Sequence, residues 1–191
     1  MRKADHSDKS VILDILTTSF DDNKSVNDVV RQDHNRVDRI RKLMAYSFNV
    51  CQAFGEVWIE NDQQACALIL FPDTKRITFR MLLWDFKLAL SVVGLGRVGA
   101  VLKRDGMIKS NHPKSPIAYL WFIGVRPKLQ GKGIGSTFIQ EVIQECDRKE
   151  RPIYLETSME KNLPFYQKFG FDIFESLQLS YTLYLLRRIL V

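Results

Sequence analysis

The spacing of apolar residues divides the chain into helical and strand-forming segments. From Lys9 to Phe20, and again from Val37 to Phe54, apolar residues recur at the spacing of one helix face. The turn residues Asn61-Asp62 separate two short apolar runs and therefore indicate a hairpin. In chain order, the first half is predicted to contain helices over 9–20 and 37–54, strands over 57–59 and 65–71, and a helical region over 77–104.

The second half of the chain alternates strands and helices. Residues 117–125 form a nearly continuous apolar run, which predicts a central strand covered on both faces. Gly170 closes a short helix that starts near Asn162. The order of elements predicts a mixed α/β sheet flanked by helices, in a single domain over 1–191. The later predicted elements are a helix over 136–146, a strand over 153–157, the short helix over 162–169, and strands over 171–177 and 180–190.

The composition fits a globular chain and gives little sign of metal or nucleic-acid chemistry. The formal net charge is +6, but lysine and arginine are spread along the chain rather than gathered in a basic arm. We therefore expect an anionic small molecule, and no nucleic acid, as the partner. The cysteines lack a CxxC pair and the histidines lie far apart, so neither a disulfide framework nor a metal site is expected. These residues are Cys51, Cys66 and Cys146, and His6, His34 and His112.

Two segments bear on membranes and location. The polar residues 1–6 lack the apolar core of a signal peptide, so a cytoplasmic location is expected. The apolar stretch 81–102 is interrupted by Asp85, Lys87 and Arg97, which leaves too few consecutive apolar residues to span a bilayer. We expect helices on the domain surface there and no membrane partner.

A glycine-rich turn between a strand and a helix carries the clearest chemical signal. Residues 126–133 connect the central strand to a helix that starts near Ile134. A helix N-terminus presents unpaired N–H groups and suits a phosphate, and glycines let the anion approach the backbone closely. Cations around the turn add positive charge. The glycines are Gly131, Gly133 and Gly135, and the cations are Arg126, Lys128 and Lys132.

Three phosphate-binding sequence patterns can be compared with this turn. A P-loop requires Gly-Lys followed by Ser or Thr, but Lys132 is followed by Gly133. A dinucleotide fingerprint requires G-x-G-x-x-G, whereas the three glycines here have G-x-G-x-G spacing. The third pattern, Q-x-x-G-x-G, fits Gln130 to Gly135.

The third pattern resembles the coenzyme A pyrophosphate signature of the GNAT superfamily of N-acetyltransferases. A second set of residues resembles another part of the family's pattern, namely Leu155-Glu156-Thr157-Ser158, then N-x-x-F-Y at 162–166, then Gly170-Phe171. Together with His112-Pro113, these motifs are similar to the puromycin N-acetyltransferase branch. The resemblance covers about 111–174 and is weak before it, where substrate specificity usually resides in this family.

The resemblance implies both a fold and a cofactor. The fold is a central, mostly antiparallel sheet that splays between its fourth and fifth strands, here 118–125 and 153–157. Acetyl-CoA would enter the opening, with a backbone N–H near Ile123 as the oxyanion donor and Gly124 as the bulge that opens the gap. The residues predicted to bind acetyl-CoA are Ile123, Gly124, Val125, Gln130, Gly131, Lys132, Gly133, Ile134, Gly135, Ser136, Asn162 and Tyr166.

Two residues are predicted to be catalytic. The family's tyrosine general acid corresponds to Tyr166, for which the alternative is an aromatic packed beside Phe165. Many family members carry a glutamate on the first splayed strand, but this strand contains no acid, so Glu156 is the nearest candidate base. Glu156 could equally be a structural hydrogen-bond acceptor. His112 is a weaker candidate, expected to be a satisfied loop histidine, and Asn162 is expected to cap the short helix.

These motifs together predict an acetyl-CoA-dependent N-acetyltransferase. The acceptor is expected to be a primary amine of a small molecule, which attacks the thioester directly. A catalytically silent acyl-CoA-binding module and an acetyltransferase for protein or peptide amines are the alternatives. The chain is expected to be a monomer or a homodimer. The helices over 37–54 and 77–104 are expected to wall the acceptor pocket, and their aromatics fit an apolar acceptor or core packing; these are Phe48, Phe54, Phe79, Trp84 and Phe86.

Overall fold

A computed structural model of the chain describes residues 1–190. It contains one seven-stranded sheet with helices on both faces. The strands are β1 (Arg2–Lys3), β2 (Gly55–Ile59), β3 (Ala65–Leu70), β4 (Ala118–Val125), β5 (Ile153–Thr157), β6 (Asp172–Gln178) and β7 (Thr182–Arg188). The helices are α1 (Lys9–Ser19), α2 (Lys24–Val29), α3 (Arg36–Phe54), α4 (Phe79–Leu88), α5 (Val98–Ser110), α6 (Ile134–Arg148) and α7 (Leu163–Lys168).

The strand order across the sheet is β1-β2-β3-β4-β5-β7-β6. Every neighbouring pair is antiparallel except β4 and β5, which are parallel. A parallel pair requires a crossover connection, and α6 supplies it between these two strands. The predicted mixed, mostly antiparallel sheet is therefore confirmed.

β4 and β5 separate after only two paired positions. Ala118 pairs with Ile153 and Tyr119 with Tyr154, and the rest of β4 has no register with β5. β4 remains paired with β3 up to Val125, while β5 pairs with β7. The sheet therefore opens into a gap between its two parallel strands, as predicted.

The bulge that bends β4 lies at Trp121. The consecutive β3 residues Leu68 and Ile69 pair with Phe122 and Leu120, which leaves Trp121 as the extra residue. A bulge of this kind increases the local bend and twist of a strand. Trp121 lies two residues after Tyr119, the last position at which β4 pairs with β5, so the bulge falls at the start of the gap.

Gly124 was predicted to be this bulge, and that prediction is wrong. A Cβ atom on Gly124 would lie 3.1 Å from Cδ2 of Leu16 and 3.3 Å from Oγ of Ser19. Gly124 therefore allows α1 to approach β4 closely. Bulge position depends on the register with β3, which the apolar run of β4 does not encode.

Different helices cover the two faces of the sheet, which we call the α1 face and the α6 face. Side chains of α1 and α3 pack on the α1 face, and side chains of α6 and α7 pack on the α6 face. The helix spacing predicted for α6 is confirmed, because its buried residues follow one helix face. These residues are Phe138, Ile139, Val142, Ile143 and Cys146.

The predicted helical region over 77–104 consists of separate pieces. A π-helical turn (Ala89–Val93) and Gly94, whose φ is +84°, divide α4 from α5. Phe79 is 84% exposed and Phe86 is 60% exposed, so core packing is the wrong interpretation of these two aromatics. Across residues 1–190, every helix falls short of the length and apolarity needed to cross a membrane.

Candidate active site

The glycine-rich turn places a row of free backbone donors at the start of α6. Gly131 and Gly133 have φ values of +78° and +85°, a region that favours glycine. Within residues 1–190, no group accepts a hydrogen bond from the backbone N–H groups of residues 131–135. The N–H of Ser136 differs, because it donates to the carbonyl of Gly133 at 2.9 Å. The turn therefore offers an anion five adjacent N–H groups and the positive end of the α6 helix dipole.

The space and charge around these donors fit a diphosphate. A Cβ atom on Gly131 or Gly133 would meet no atom within 4 Å, so the positions in front of both residues are open. Lys128 and Lys132 are exposed beside the turn. Gly135, in contrast, lies where α6 meets β4, since its Cβ would be 3.4 Å from Cγ2 of Val125.

Gln130 ties the turn to the end of β4. Its side-chain amide donates to the carbonyl of Val125 at 3.2 Å, and the Ser19 hydroxyl donates to the same carbonyl at 2.8 Å. Gln130 thereby fixes the backbone that carries the free donors. In this structure its side chain serves the turn itself, and its predicted contact with the cofactor stays a prediction.

Backbone groups of β4 also point into the gap. In an antiparallel pair, residues alternate between those whose N–H and C=O face the partner strand and those that face away. The N–H of Arg126 donates to the carbonyl of Gln64, the residue opposite it, at 3.0 Å. The backbone N–H and C=O groups of Arg126, and of Gly124 two residues before it, therefore face β3. By this alternation, the N–H groups of Ile123 and Val125 face the gap, where β5 offers them no partner. Ile123 was the predicted oxyanion donor, and its N–H has the required direction.

Tyr166 lies on the α6 face, and its hydroxyl has no hydrogen-bond partner in the part of the chain that the structure describes. Its ring packs against Phe165 and Phe171, with centroids 5.4 and 5.7 Å away. Burial raises the pKa of Tyr166 to about 12. Among residues 1–190, the Thr17 hydroxyl is the one fully buried side-chain polar atom without a hydrogen-bond partner. The Tyr166 hydroxyl also lacks a partner but does not belong to this class, so it retains contact with solvent. Tyr166 is thus a protonated, available hydrogen-bond donor.

Asn162 occupies the N-cap position of α7 but does not cap it through its side chain. Its backbone is already in the helical region, with φ −89° and ψ −13°, and the side chain forms no cap hydrogen bond. A 3-10 turn over Glu160–Asn162 leads directly into the helix. The predicted capping role is therefore wrong, because capping requires an extended N-cap residue.

Glu156 lies on the opposite side of the sheet, in a polar cluster on the α1 face. The hydroxyl of Tyr119 donates to Oε2 of Glu156 at 2.6 Å, and Nε2 of His112 lies 3.3 Å from Oε1. Burial, followed by the negative charge of Glu156, raises the pKa of Tyr119 well above its usual value. The Glu156 side chain is only 9% exposed. His112 is held in the cluster by this contact and by rings of Tyr119 and Tyr154.

Arg104 of α5 connects this cluster to the elements that cover it. Its guanidinium donates to the hydroxyl of Tyr181 at 3.0 Å and also contacts Oγ of Ser25. Burial works to lower the pKa of Arg104, but attraction to Tyr181, Tyr119 and Glu156 raises it overall. The sequence indicated neither Arg104 nor Tyr119 as a site residue. The one available signal for Tyr119 was a hydroxyl at the start of an apolar strand, where a buried polar group needs a partner.

Comparison with known proteins identifies the class of this fold and site. The model of the acetyltransferase (GNAT) family matches residues 50–171. The chain therefore belongs to the GNAT acetyltransferase family. An uncharacterized N-acetyltransferase of Schizosaccharomyces pombe is 42% identical over 62 residues, which are 32% of this chain and 25% of that protein. The match thus spans about a quarter of the length of this curated relative.

Solved structures of low sequence identity share the fold. One is a structure of histone acetyltransferase HPA2 and related acetyltransferase from Corynebacterium glutamicum, with a TM-score of 0.71 at 18% identity, covering 100% of this chain and 95% of that one. Another is arylalkylamine N-acetyltransferase 2 from Aedes aegypti, with a TM-score of 0.64 at 15% identity, covering 100% and 98%. Their names refer to different kinds of acceptor, so the fold alone does not select one.

Proposed function

We propose that the chain is an acetyl-CoA-dependent N-acetyltransferase that acetylates a primary amine of a small molecule. The observation that carries the proposal is the β4–β5 gap with a free tyrosine hydroxyl on one face and a buried carboxylate on the other. When bound, acetyl-CoA supplies an activated acetyl thioester. The finer resemblance to the puromycin N-acetyltransferase branch remains a prediction.

The glycine-rich turn is proposed to hold the anionic part of the cofactor. The free N–H groups of residues 131–135 would donate to the pyrophosphate, and Lys128 and Lys132 would balance its charge. The N–H groups of Ile123 and Val125 would bind along the gap. Ile123 N–H would also stabilise the negative charge that develops on the acetyl oxygen during attack. Gly124 has the weakest support in the predicted set, because it faces β3 and α1.

Tyr166 and Glu156 are proposed to handle protons on opposite faces of the gap. Leu155 packs on the α6 face with Tyr166, and Glu156, the next residue along β5, points to the other face. Tyr166 keeps its proton throughout the neutral range and would donate to the departing sulfur. Glu156 would attract the ammonium group of the acceptor and take its proton, directly or through water.

The cover over Glu156 favours a compact acceptor. Arg104 joins α5 to Ser25 of α2, and the backbone N–H of Ser25 donates to Oγ of Ser158 at 3.2 Å. These contacts bring α2 and α5 across the α1 face at the carboxyl end of β5. A face covered in this way favours a small amine over a residue on a folded protein.

A panel of acceptors tests the proposal. Purified protein is mixed with acetyl-CoA and with arylalkylamines, amino acids, polyamines or peptides with free N-termini, and release of the coenzyme thiol is followed. We expect turnover with at least one small primary amine and slower turnover with peptides. Turnover with peptides alone would replace the small-molecule acceptor, and tight acetyl-CoA binding without turnover on the panel would indicate a silent binding module.

A further inference from the structure

The segment 75–110, between β3 and β4, exposes a continuous apolar stripe. Its members recur at the i, i+3, i+4, i+7 and i+11 spacing of a single helix face, and each is at least 41% exposed. An amphipathic helix in a globular protein normally turns such a face toward the core. Here, Met81 is the one buried residue of α4. The stripe consists of Phe79, Leu82, Leu83, Phe86 and Leu90.

The same segment also carries the net charge of the chain. It contains eight lysine or arginine residues and two aspartates, which gives +6, the net charge of all 191 residues. The remaining positions therefore balance to zero. Lysine and arginine are spread along the whole sequence, but the acidic residues that would offset them are scarce in 75–110. Exposed cations accompany the stripe in sequence at Arg76, Arg80 and Lys87, and Lys103 is exposed on α5 of the same segment.

The two aspartates of the segment are already engaged. The hydroxyl of Tyr46 donates to Oδ1 of Asp85 at 2.7 Å, and Nζ of Lys109 lies 2.5 Å from Oδ2 of Asp105. Neither carboxylate is therefore free to neutralise the exposed cations. The surface combines uncovered aromatic and aliphatic side chains with unbalanced positive charge.

In contrast to the sequence-based expectation of no membrane partner, we propose that the segment 75–110 is a docking surface for an anionic phospholipid bilayer, with α4 lying in the plane of the interface. Interfacial helices of this type bury an apolar stripe rich in aromatic residues and leucine at the level of the headgroups. Lysine and arginine beside the stripe are attracted to acidic lipids, and this attraction adds to apolar burial. The proposal concerns a surface outside the gap and does not depend on the proposed acetyl transfer.

Charge and apolarity together favour a bilayer over other partners. A second copy of the chain would place the exposed cations of one segment against those of the other, and like charges at close range oppose such a dimer. A nucleic acid would match the charge but would leave the apolar stripe in water, because phosphate contacts dominate nucleic-acid binding. An acidic lipid surface satisfies both features.

Co-sedimentation with vesicles tests the proposal. Vesicles of phosphatidylcholine alone are compared with vesicles that also contain phosphatidylserine. We expect the full chain to bind the anionic vesicles and not the neutral ones. The double variant Phe79→Ser/Phe86→Ser should bind at least about tenfold more weakly, because apolar burial drives insertion. The double variant Lys87→Gln/Lys103→Gln should bind roughly thirtyfold more weakly.

A matched control removes exposed apolar residues elsewhere. Val37 on α3 and Ile173 on β6 are 53% and 38% exposed, so Val37→Ser/Ile173→Ser should leave vesicle binding unchanged. Thermal unfolding checks that each variant is folded, and Leu90→Ser tests the same stripe if the phenylalanine variant is not. The single leucine replacement should then weaken binding to anionic vesicles.

Several results would overturn the proposal. Failure of the unaltered chain to bind anionic vesicles is the first, and equal loss of binding in the control variant is the second. Vesicle binding that depends on the lysines but not on the phenylalanines would overturn burial of the apolar stripe, because electrostatic attraction alone would then account for it. Self-association that disappears in Phe79→Ser/Phe86→Ser, without vesicle binding by the unaltered chain, would indicate a second copy instead.

Discussion

The β4–β5 gap and the segment 75–110 both leave groups without partners, but the groups are of opposite kinds. At the gap, no acceptor among residues 1–190 pairs with the backbone N–H groups of Ile123, Val125 and residues 131–135. In the segment, apolar side chains lack cover. Free N–H groups are satisfied by a small anion or an oxyanion, whereas an apolar stripe is satisfied by another apolar surface. The kind of group left over thus indicates the kind of partner at each region.

The largest expected effect comes from filling the open space at the turn. Gly133→Val should reduce CoA affinity at least a hundredfold, because φ is +85° there and the added side chain would project where the pyrophosphate binds. Isothermal titration calorimetry measures the change. Gly106→Val on α5 is the control, since it also has open space but no positive φ. Equal CoA affinity in the two variants would contradict the assignment of the turn.

The next effect separates chemistry from binding on the α6 face. Tyr166→Phe should lower kcat by about a thousandfold while leaving acetyl-CoA affinity unchanged, because only the donated proton is lost. Steady-state kinetics with the best amine from the panel and acetyl-CoA titration give the two numbers. Tyr184→Phe, which removes a hydroxyl that donates to Glu160 at 2.7 Å, should change neither. Loss of acetyl-CoA binding in Tyr166→Phe would point to a packing role.

A smaller effect is expected on the α1 face. Glu156→Gln should lower kcat by about a hundredfold, since the amide keeps the size of the side chain but cannot accept the proton of the acceptor. Glu160→Gln is the control, because that carboxylate contacts Tyr184 away from the polar cluster. An unaltered rate in Glu156→Gln would favour the alternative in which Glu156 is a structural hydrogen-bond acceptor for Tyr119 and His112.

The smallest effect is expected in the free energy of unfolding when an exposed ring of the segment 75–110 is replaced, compared with a buried ring of the α6 face. Phe79→Ser should change the free energy of unfolding by less than about 0.5 kcal/mol, because this ring is exposed. Phe138→Ala on α6 should cost about 3–5 kcal/mol, because its ring is fully buried in the core of the α6 face. Urea unfolding of both variants provides the measurement. A large loss in Phe79→Ser would show that the stripe has cover within the chain.

Sequence reasoning predicted the fold where the apolar pattern was long and regular. The spacing of Phe138, Ile139 and Val142 predicted α6, and the apolar run of β4 predicted a central strand. β1 and α2 were missed, because two strand residues and six helical residues are too short to show a period. The stripe of α4 was misread for another reason. A helical period shows which residues share a face but not whether that face is covered.

The candidate site was predictable in its backbone and less so in its side chains. Gly131 and Gly133 take the positive φ values that only glycine adopts easily, so the turn could be recognised from spacing. The contact of Glu156 with Tyr119 joins residues 37 positions apart and depends on how the strands register. The approach of Arg104 to the polar cluster around Glu156 depends on how α5 crosses the sheet. No local pattern encodes either arrangement.

Amide hydrogen exchange with and without CoA tests the central claim most directly. The N–H groups of Ile123, Val125 and residues 131–135 have no acceptors within the described range 1–190 and should exchange fast without CoA. With saturating CoA, we predict strong protection of these groups and no change in α4. Unchanged exchange at the turn and at β4 under saturation, or protection confined to the segment 75–110, would contradict the placement of the cofactor in the β4–β5 gap.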